Sequence, residues 1–159
     1  MWNGLGVFTW GRGKKQFDSY EGDWQNGNRH GFGISQECLG DLKATGTSNV
    51  GRKKWKRYTG SWIEDRMEGF GKFTWDEEEN PANRKQILVR EYEGQWHNGL
   101  REGYGKLTKS NKDTFEGIWR GDKPWNGTWK PHNGGCITVE DGKLTTWGSI
   151  ARLWKSLDC

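Results

Sequence analysis

The sequence is poor in the residues that form an ordinary globular core, since only 31% of its 159 residues are hydrophobic. This share excludes a domain packed mainly on Leu, Ile and Val. No apolar run approaches the ~20 residues of a membrane-spanning helix, and the N-terminus lacks the basic and apolar regions of a secretory signal. The three cysteines lie far apart and outside any CxxC arrangement, so we expect reduced thiols and not a disulfide framework. These absences predict a soluble protein of the cytoplasm.

Aromatic residues and glycine are abundant instead, with 12 Trp and 25 Gly. Each buried aromatic ring removes roughly 150 to 250 Å² from water, so rings alone can build a core, and glycine supplies space and turns. Disordered chains are poor in aromatics, which indicates that this chain folds. The net charge of +4 is spread over 25 basic and 21 acidic residues, so global charge does not predict a nucleic-acid partner.

One motif recurs along the chain. The segments YEGDWQNGNRHGFG at 20–33, YTGSWIEDRMEGFG at 58–71 and YEGQWHNGLREGYG at 92–105 align without a gap as Y-x-G-x-W, six variable residues and G-x-G. A fourth copy starts at Phe115 and loses the second glycine of its G-x-G to Trp129. Internal repeats of this length predict a stacked array of one structural unit.

The copies of this motif differ in length. Residues 2–10 match only its second half, and the leading aromatics of the other copies stand at residues 20, 58, 92 and 115. The shortest spacing, of 23 residues, is the parent period, so the longer spacings contain insertions, at 11–19, 36–57 and 76–91. Because these insertions occupy the same point of the cycle, we expect them to form loops along one edge of the array.

With these five fixed positions the sequence resembles the MORN repeat family, whose unit has the form YxGxWxxGxxxGxG. The resemblance covers residues 2–129 and departs from the family pattern at 63–65, where the usual glycine after the tryptophan is missing. It implies a non-catalytic module that holds other proteins in cytoskeletal, ciliary or cortical assemblies, and some members are linked to acidic phospholipids. Others are attached to enzymes, so a targeting fragment of a larger enzyme stays an alternative.

Residue parity predicts the local structure. Along YTGSW, residues Tyr58, Gly60 and Trp62 share one face of an extended strand, because side chains alternate between faces. A turn connects the two halves of each repeat, which makes the repeat a β-hairpin with an aromatic and glycine face. A single hairpin is barely stable, so we expect an all-β fold, an elongated single-layer antiparallel sheet of stacked MORN hairpins. The residues assigned to the repeat core are Tyr20, Gly22, Trp24, Gly31, Gly33, Tyr58, Gly60, Trp62, Gly69, Gly71, Tyr92, Gly94, Trp96, Gly103, Gly105, Phe115, Gly117 and Trp119.

A different unit follows the repeat array of residues 1–129. In CITVEDGKLTTW, the dipeptide Asp-Gly is typical of a type I′ turn, which would place Glu140 opposite Lys143. We expect residues 130–159 to form this hairpin and a short amphipathic α-helix that caps the last repeat. Docking of that helix on a partner or a membrane is the alternative. The apolar residues at helical spacing are Ile150, Leu153, Trp154 and Leu157.

The middle residue of each G-x-G points away from the glycine face. A regularly spaced ladder of such side chains suits a linear groove for an extended or helical partner, because aromatic residues dominate interface hot spots. The alternative is a row of partly exposed sheet residues covered by neighbours or by the inserted loops. The candidate partner-binding residues are Leu5, Phe32, Phe70 and Tyr104.

Basic residues cluster in the first two insertions, with Trp55 among them. Such a cluster would attract an anionic membrane by about 1 kcal/mol per cation, with the indole at the headgroup level. The acidic run from Asp76 to Glu79 opposes this attraction, so solvated loops are the alternative. The candidate residues for an anionic surface are Arg12, Lys14, Lys15, Arg52, Lys53, Lys54, Lys56 and Arg57.

No catalytic site emerges from the sequence. His30, His97 and His132 fall at turn positions of different repeats, without a nucleophile in a recurring relation to them. No spaced set of oxygen ligands accompanies the acidic runs, so we expect no metal and no cofactor. The sequence predicts a non-catalytic scaffold or adaptor for other proteins or for a second copy of this chain, in the cytoplasm, at the cytoskeleton or at a membrane. A peripheral module that binds acidic phospholipids is the alternative, and nucleic acid is not an expected partner.

Overall fold

The computed structural model describes residues 1–11, 17–41, 53–78 and 87–145. These residues form eleven β-strands and no helix. The strands are β1 (Gly4–Gly11), β2 (Phe17–Gln25), β3 (Asn28–Asp41), β4 (Lys53–Ile63), β5 (Arg66–Glu78), β6 (Ile87–His97), β7 (Leu100–Thr108), β8 (Thr114–Arg120), β9 (Lys123–Lys130), β10 (Ile137–Glu140) and β11 (Lys143–Thr145). They form one open antiparallel sheet in chain order, which at ~4.8 Å per strand extends roughly 50 Å. The predicted all-β antiparallel sheet of stacked hairpins is confirmed.

Two-residue turns close the hairpins of the sheet. Asn26-Gly27, Asn98-Gly99 and Asp141-Gly142 have positive φ at both positions, as type I′ turns require. The turns Glu64-Asp65 and Gly121-Asp122 have the same geometry. The φ of Glu64 is 47°, a left-handed value that costs a long side chain backbone strain.

The connections between repeats are strands over much of the length that the sequence assigned to inserted loops. β3 and β4 stay paired out to Asp41 opposite Lys53, and the other two connections also begin and end in paired strand. Continued pairing satisfies backbone N–H and C=O groups that a loop would leave to water. The predicted extents of the insertions are therefore corrected, at 11–19, 36–57 and 76–91 alike.

The core is a continuous row of interlocking rings on one face of the sheet. Each repeat's tyrosine contacts its own tryptophan and the tryptophan of the next repeat edge to face, with centroids 5.0 to 5.5 Å apart. Each such contact contributes about 0.5 to 1.5 kcal/mol beyond the area that it buries. The rings that the row buries are Tyr20, Tyr58, Trp62, Tyr92, Trp96, Phe115 and Trp119. Trp24 packs against them and is half-buried.

Glycine makes room for these rings. Gly60 and Gly71 face each other across β4 and β5, and a Cβ on Gly71 would overlap the phenol of Tyr58. The Tyr58 hydroxyl donates to the carbonyl of Ser61 at 3.1 Å, and Trp62 Nε1–H donates to a glycine carbonyl of the preceding repeat at 3.3 Å. The same bonds recur in the neighbouring repeats. Both polar atoms of each buried ring pair are therefore satisfied, and each repeat is tied to the one before it.

Three glycines that the sequence placed in the ring-packing core lie outside it. Gly31, Gly69 and Gly103 have φ values of 56°, 66° and 84° and are exposed or half-buried. Each lies in a bulge, because the hairpin register shifts between the paired glycines and the tryptophan. These three positions need glycine for a left-handed backbone and not for ring packing, so the prediction is wrong for them.

The fourth repeat has one residue fewer between its paired glycines than the other three repeats have. Gly127 pairs with Gly117, so it is the second glycine of this G-x-G, and Trp125 occupies the place of the first. The prediction that Trp129 replaces the second glycine is therefore wrong. Trp129 pairs with Phe115 instead, and their ring centroids are 6.3 Å apart.

The C-terminal hairpin forms in the predicted register. β10 and β11 place Glu140 opposite Lys143, and β10 also pairs with β9, so the hairpin extends the repeat sheet. Val139 is buried against the ring core, which covers the last repeat. The predicted capping helix lies outside the described residues.

Two of the three cysteines lie in the described part of the chain. Cys38 is free and buried, as expected. Cys136 is disulfide-bonded, so the expectation of reduced thiols is corrected at this position.

Candidate protein-binding surfaces

The predicted partner-binding residues lie on the face opposite the ring core. Phe32 pairs with Ser61, whose side chain points away from that of the buried Trp62 beside it. The four predicted partner-binding residues lie on β1, β3, β5 and β7. Successive members are therefore two strands, or roughly 10 Å, apart. We call these four residues the outer stripe, and their exposed fractions are 83% for Leu5, 59% for Phe32, 60% for Phe70 and 49% for Tyr104.

Hydrogen bonds at two bulges position the backbone of the outer stripe. The N–H of Phe32 donates to Asp23 Oδ2 at 2.9 Å, and the N–H of Tyr104 donates to Gln95 Oε1 at 2.7 Å. In both repeats the acceptor residue precedes the core tryptophan, and the glycine before the stripe residue is left-handed. Since a bulge re-aims the side chains beside it, the G-x-G motif determines where each stripe residue points.

The apolar part of this face is wider than the sequence predicted. Val7 lies two residues after Leu5 on the same face and is 62% exposed, and Ile118 is 38% exposed. Ile118 pairs directly with Tyr104. The sequence contains a signal for Ile118. The residue before the core tryptophan is polar in the other three copies of the motif but is isoleucine in the fourth. The Tyr104 hydroxyl donates to Glu116 Oε1 at 2.6 Å, which raises the pKa of this phenol and holds its ring in place.

The basic cluster is only partly described. Lys54 and Lys56 have the parity of Tyr58 and lie on the core face, whereas Arg57 is exposed on the outer face. The cations that the structure describes are thus divided between two faces and do not form one patch. The other members, of whose side chains nothing is described, are Arg12, Lys14, Lys15, Arg52 and Lys53.

Along one edge of the sheet, ion pairs connect the hairpin turns of adjacent repeats. Arg29 donates its backbone N–H and its Nε–H to Asp65 Oδ1 at 3.0 and 2.9 Å, and its guanidinium lies 4.2 Å from the ring centroid of Trp62. Partial burial opposes ionisation of Asp65, but the hydrogen bonds from Arg29 outweigh it and lower the pKa. Arg101 and Asp122 repeat this arrangement two repeats later. The pairs connect adjacent repeats and cover the rings at the edge of the core.

The core face carries a groove that was not predicted. A cavity of about 360 Å³ is lined by Ser35, Tyr58 and Phe73, and a second, of about 240 Å³, shares Met67 and Phe73 with it. The aligned repeats contain a sequence signal for this groove. Ser35 stands where the units before and after it have Phe8 and Phe73, so a ring is missing from this place.

Two of the three histidines form pairs with carboxylates at turns. His97 Nδ1 lies 2.8 Å from Glu68 Oε1, and His132 Nδ1 lies 3.1 Å from Asp113 Oδ1. The hydrogen bonds from the backbone and ring of His132 lower the pKa of Asp113 to about 2. Within the described ranges no group of three His, Cys, Asp or Glu side chains could hold a metal ion, and no helix there is long and apolar enough to span a membrane.

An open sheet of stacked hairpins, each with the same pattern of rings and paired glycines, defines a β-hairpin repeat protein. The family model of the MORN repeat matches the chain at residues 1–15, 20–36, 58–77 and 92–114. The chain therefore belongs to the MORN repeat family, as its motif predicted. This repeat is generally non-catalytic and occurs in protein-binding and membrane-associated modules. A comparison with curated proteins found no match.

Proposed function

We propose that this protein is a non-catalytic scaffold or adaptor of the cytoplasm whose outer stripe binds other proteins in a cytoskeletal, ciliary or cortical assembly. The observation that carries the proposal is the exposure of the outer-stripe side chains to solvent. Four large apolar side chains at the same place in successive repeats are 49 to 83% exposed. Monomeric proteins rarely leave a regular apolar row open to water unless it serves an interaction. The general absence of catalysis in MORN repeats supports a binding role.

The spacing of the outer stripe suits an extended or helical segment of a partner. Three intervals of roughly 10 Å give a row of about 30 Å, the length of a helix of about 20 residues. Phe32, Phe70 and Tyr104 would anchor the partner, because aromatic side chains dominate interface hot spots. The stripe stands on a hydrogen-bonded sheet, so its backbone loses little freedom on binding.

Capture of partners by a triple variant tests the proposal. The variant combines Phe32→Ser, Phe70→Ser and Tyr104→Ser in the full chain. Partners captured by the parent chain from the native extract are identified by mass spectrometry, purified and titrated against both proteins. We expect the variant to bind at least about tenfold more weakly, because it loses three hot-spot side chains.

The control for this experiment is Leu144→Ser. Leu144 is 65% exposed and pairs with the buried Val139, so it lies on the face opposite the stripe. This variant should bind the partner as the parent does. Unchanged affinity of the triple variant, together with unchanged thermal unfolding, would reject the outer stripe as the interface.

Acidic phospholipids remain a prediction for the basic cluster. The division of Lys54, Lys56 and Arg57 between two faces gives that prediction less support than the stripe gives to a protein partner. Co-sedimentation with phosphoinositide-containing liposomes distinguishes the two functions. Salt-sensitive binding that disappears when the cations at 52–57 are neutralised would favour the lipid function, and no binding would reject it.

A further inference from the structure

A row of apolar side chains on the core face has one gap. In each unit, the residue two positions after the second glycine of G-x-G pairs with a buried aromatic ring. In four of the units this residue is large, namely Phe8, Phe73, Leu107 and Trp129. In the remaining unit it is Ser35, which pairs with Tyr20 on one side and with Tyr58 on the other. The unit thus lacks a side chain that every other copy provides.

The missing side chain leaves the cavity of about 360 Å³ beside the rings of Tyr58, Trp62 and Phe73. A cavity of about 150 Å³ already holds benzene, so this one has room for a phenylalanine or tyrosine side chain. Its aromatic walls offer edge-to-face contacts to an entering ring. Tyr58 and Trp62 are held by hydrogen bonds to the backbone, so the site is formed before any ligand arrives.

The rim of the cavity has an excess of positive charge. Arg29 and Asp65 both line it and neutralise each other at 2.9 Å. Among its other charged lining residues, Lys56 and Arg66 are cationic and Glu37 is anionic. A carboxylate next to an entering ring would therefore meet a complementary field.

We propose that this cavity binds the aromatic side chain of an extended, acidic segment of a partner protein, with an Asp or Glu beside the ring. The second cavity of about 240 Å³ shares Met67, Phe73 and Gly99 with the first, so the segment continues along the groove over the next repeat. The inference rests on the proposed protein-binding function, but it concerns the face opposite the outer stripe.

The substitution Ser35→Phe closes the cavity without endangering the fold, because the units on either side carry phenylalanine at this place. The probe is the peptide acetyl-Asp-Phe-Asp-amide, titrated into the isotope-labelled full chain and followed by NMR. We expect saturable shifts at the indole N–H of Trp62 and at the amides around Ser35. Ser35→Phe should weaken this binding at least about tenfold, a loss of about 1.4 kcal/mol, with thermal stability equal to or above that of the parent.

The matched control is Ser19→Phe, which places the same ring on the outer face, next to the buried Tyr20 in sequence. It should leave peptide binding unchanged. The peptides acetyl-Asp-Ala-Asp-amide and acetyl-Lys-Phe-Lys-amide test the ring and the charge separately, and each should bind at least about fivefold more weakly. Lys56→Glu should narrow or reverse the preference between the acidic and the basic peptide.

Equal shifts in the Ser35→Phe variant, equal binding of the Phe and Ala peptides, or no saturable shift at all would overturn this inference. Equal binding of the acidic and basic peptides would overturn its charge component. If the peptide fails while the triple variant of the outer stripe still loses its partner, this inference alone is rejected. If the peptide binds as expected and the stripe variant keeps its partner, the stripe alone is rejected.

Discussion

The phenol ring of Tyr58 lies against Gly71 of the neighbouring strand, in the space that a β-carbon would occupy. The same relationship recurs in the repeats before and after it. The φ of Gly71 is not positive, so any residue could adopt its backbone conformation. Glycine at this place is therefore a packing requirement, in contrast to the left-handed glycine two residues earlier.

We expect Gly71→Ala to lower the free energy of unfolding by about 1 to 3 kcal/mol, the usual cost of overpacking a well-filled core. The ring cannot move aside easily, because its hydroxyl is bonded to the carbonyl of Ser61. Urea denaturation measures the loss. The control is Gly6→Ala, where the new Cβ would lie 3.3 Å from Trp24. Equal losses in the two variants would contradict the packing argument.

The buried tyrosines should stay un-ionised well above their ordinary pKa. Burial raises the pKa of Tyr20 and Tyr92 to about 12 and also raises that of Tyr58. Because the folded-state pKa lies above the unfolded value, the stabilisation is complete below pH 10.0 and is lost as the pH rises through about 12. Phenolate absorbance from these three tyrosines should therefore appear in the near ultraviolet only together with alkaline unfolding.

The variant Tyr104→Phe makes this titration specific, because it removes the one tyrosine whose ring is exposed. Its remaining phenols all belong to the ring core. A reversible transition near pH 10.0, the ordinary value, in this variant while the near-ultraviolet circular dichroism stays native would contradict the burial of these rings.

The turn at Glu64-Asp65 should gain stability when its first residue is changed. Glu64 has φ of 47°, and asparagine tolerates this left-handed conformation better than glutamate does. We expect Glu64→Asn to raise the free energy of unfolding by about 1 kcal/mol, the lower end of the cost of such strain. The reciprocal change Asn26→Glu, at φ of 52°, should lower it by a similar amount. No difference between the two variants in thermal unfolding would show that these turns are not strained.

Arg101 and Asp122 should behave as one unit, because they pair across adjacent repeats. One repeat earlier, Met67 and Gly99 occupy the same two places and share the same backbone hydrogen bond. We expect Arg101→Met alone to lower the free energy of unfolding by up to about 1 kcal/mol, since the pair is partly exposed. Adding Asp122→Gly should recover most of this loss, because it relieves a left-handed φ of 67°. A double-mutant cycle with coupling below about 0.5 kcal/mol would contradict the pairing.

The alternation of Y-x-G-x-W predicted the buried face, since side chains on an unbroken strand alternate between faces. The alternation does not hold at Gly31, because the register shift between Gly22 and Asp23 interrupts it. Nothing in the letters G-F-G shows that its two glycines have different roles. The ends of strands β3 to β6 that extend beyond the repeat motif were also missed, because these segments lack the motif although their backbones keep pairing.

The outer stripe was predictable because its residues occupy the same place of the motif in four successive units. The groove on the core face was harder to predict, since it arises from a ring that Ser35 does not provide. Finding it requires the cross-strand pairing with Tyr20 and Tyr58, which places Ser35 in line with Phe8 and Phe73. A substituted residue in a repeat, such as Ser35, predicts a groove only when the structure shows where the usual side chain would lie.

Each buried tyrosine contacts the tryptophan of its own repeat and that of the next repeat, so these ring contacts stabilise adjacent repeats only. The array then resembles a one-dimensional chain of coupled units. A destabilising substitution in the middle of the array, for example at Tyr58, would divide the array into two short stretches that must each stay folded alone. A destabilising substitution near either end would only shorten the folded part of the array. Sensitivity to mutation should therefore peak at the centre of the array and fall toward both ends, even though the repeats bury nearly identical rings.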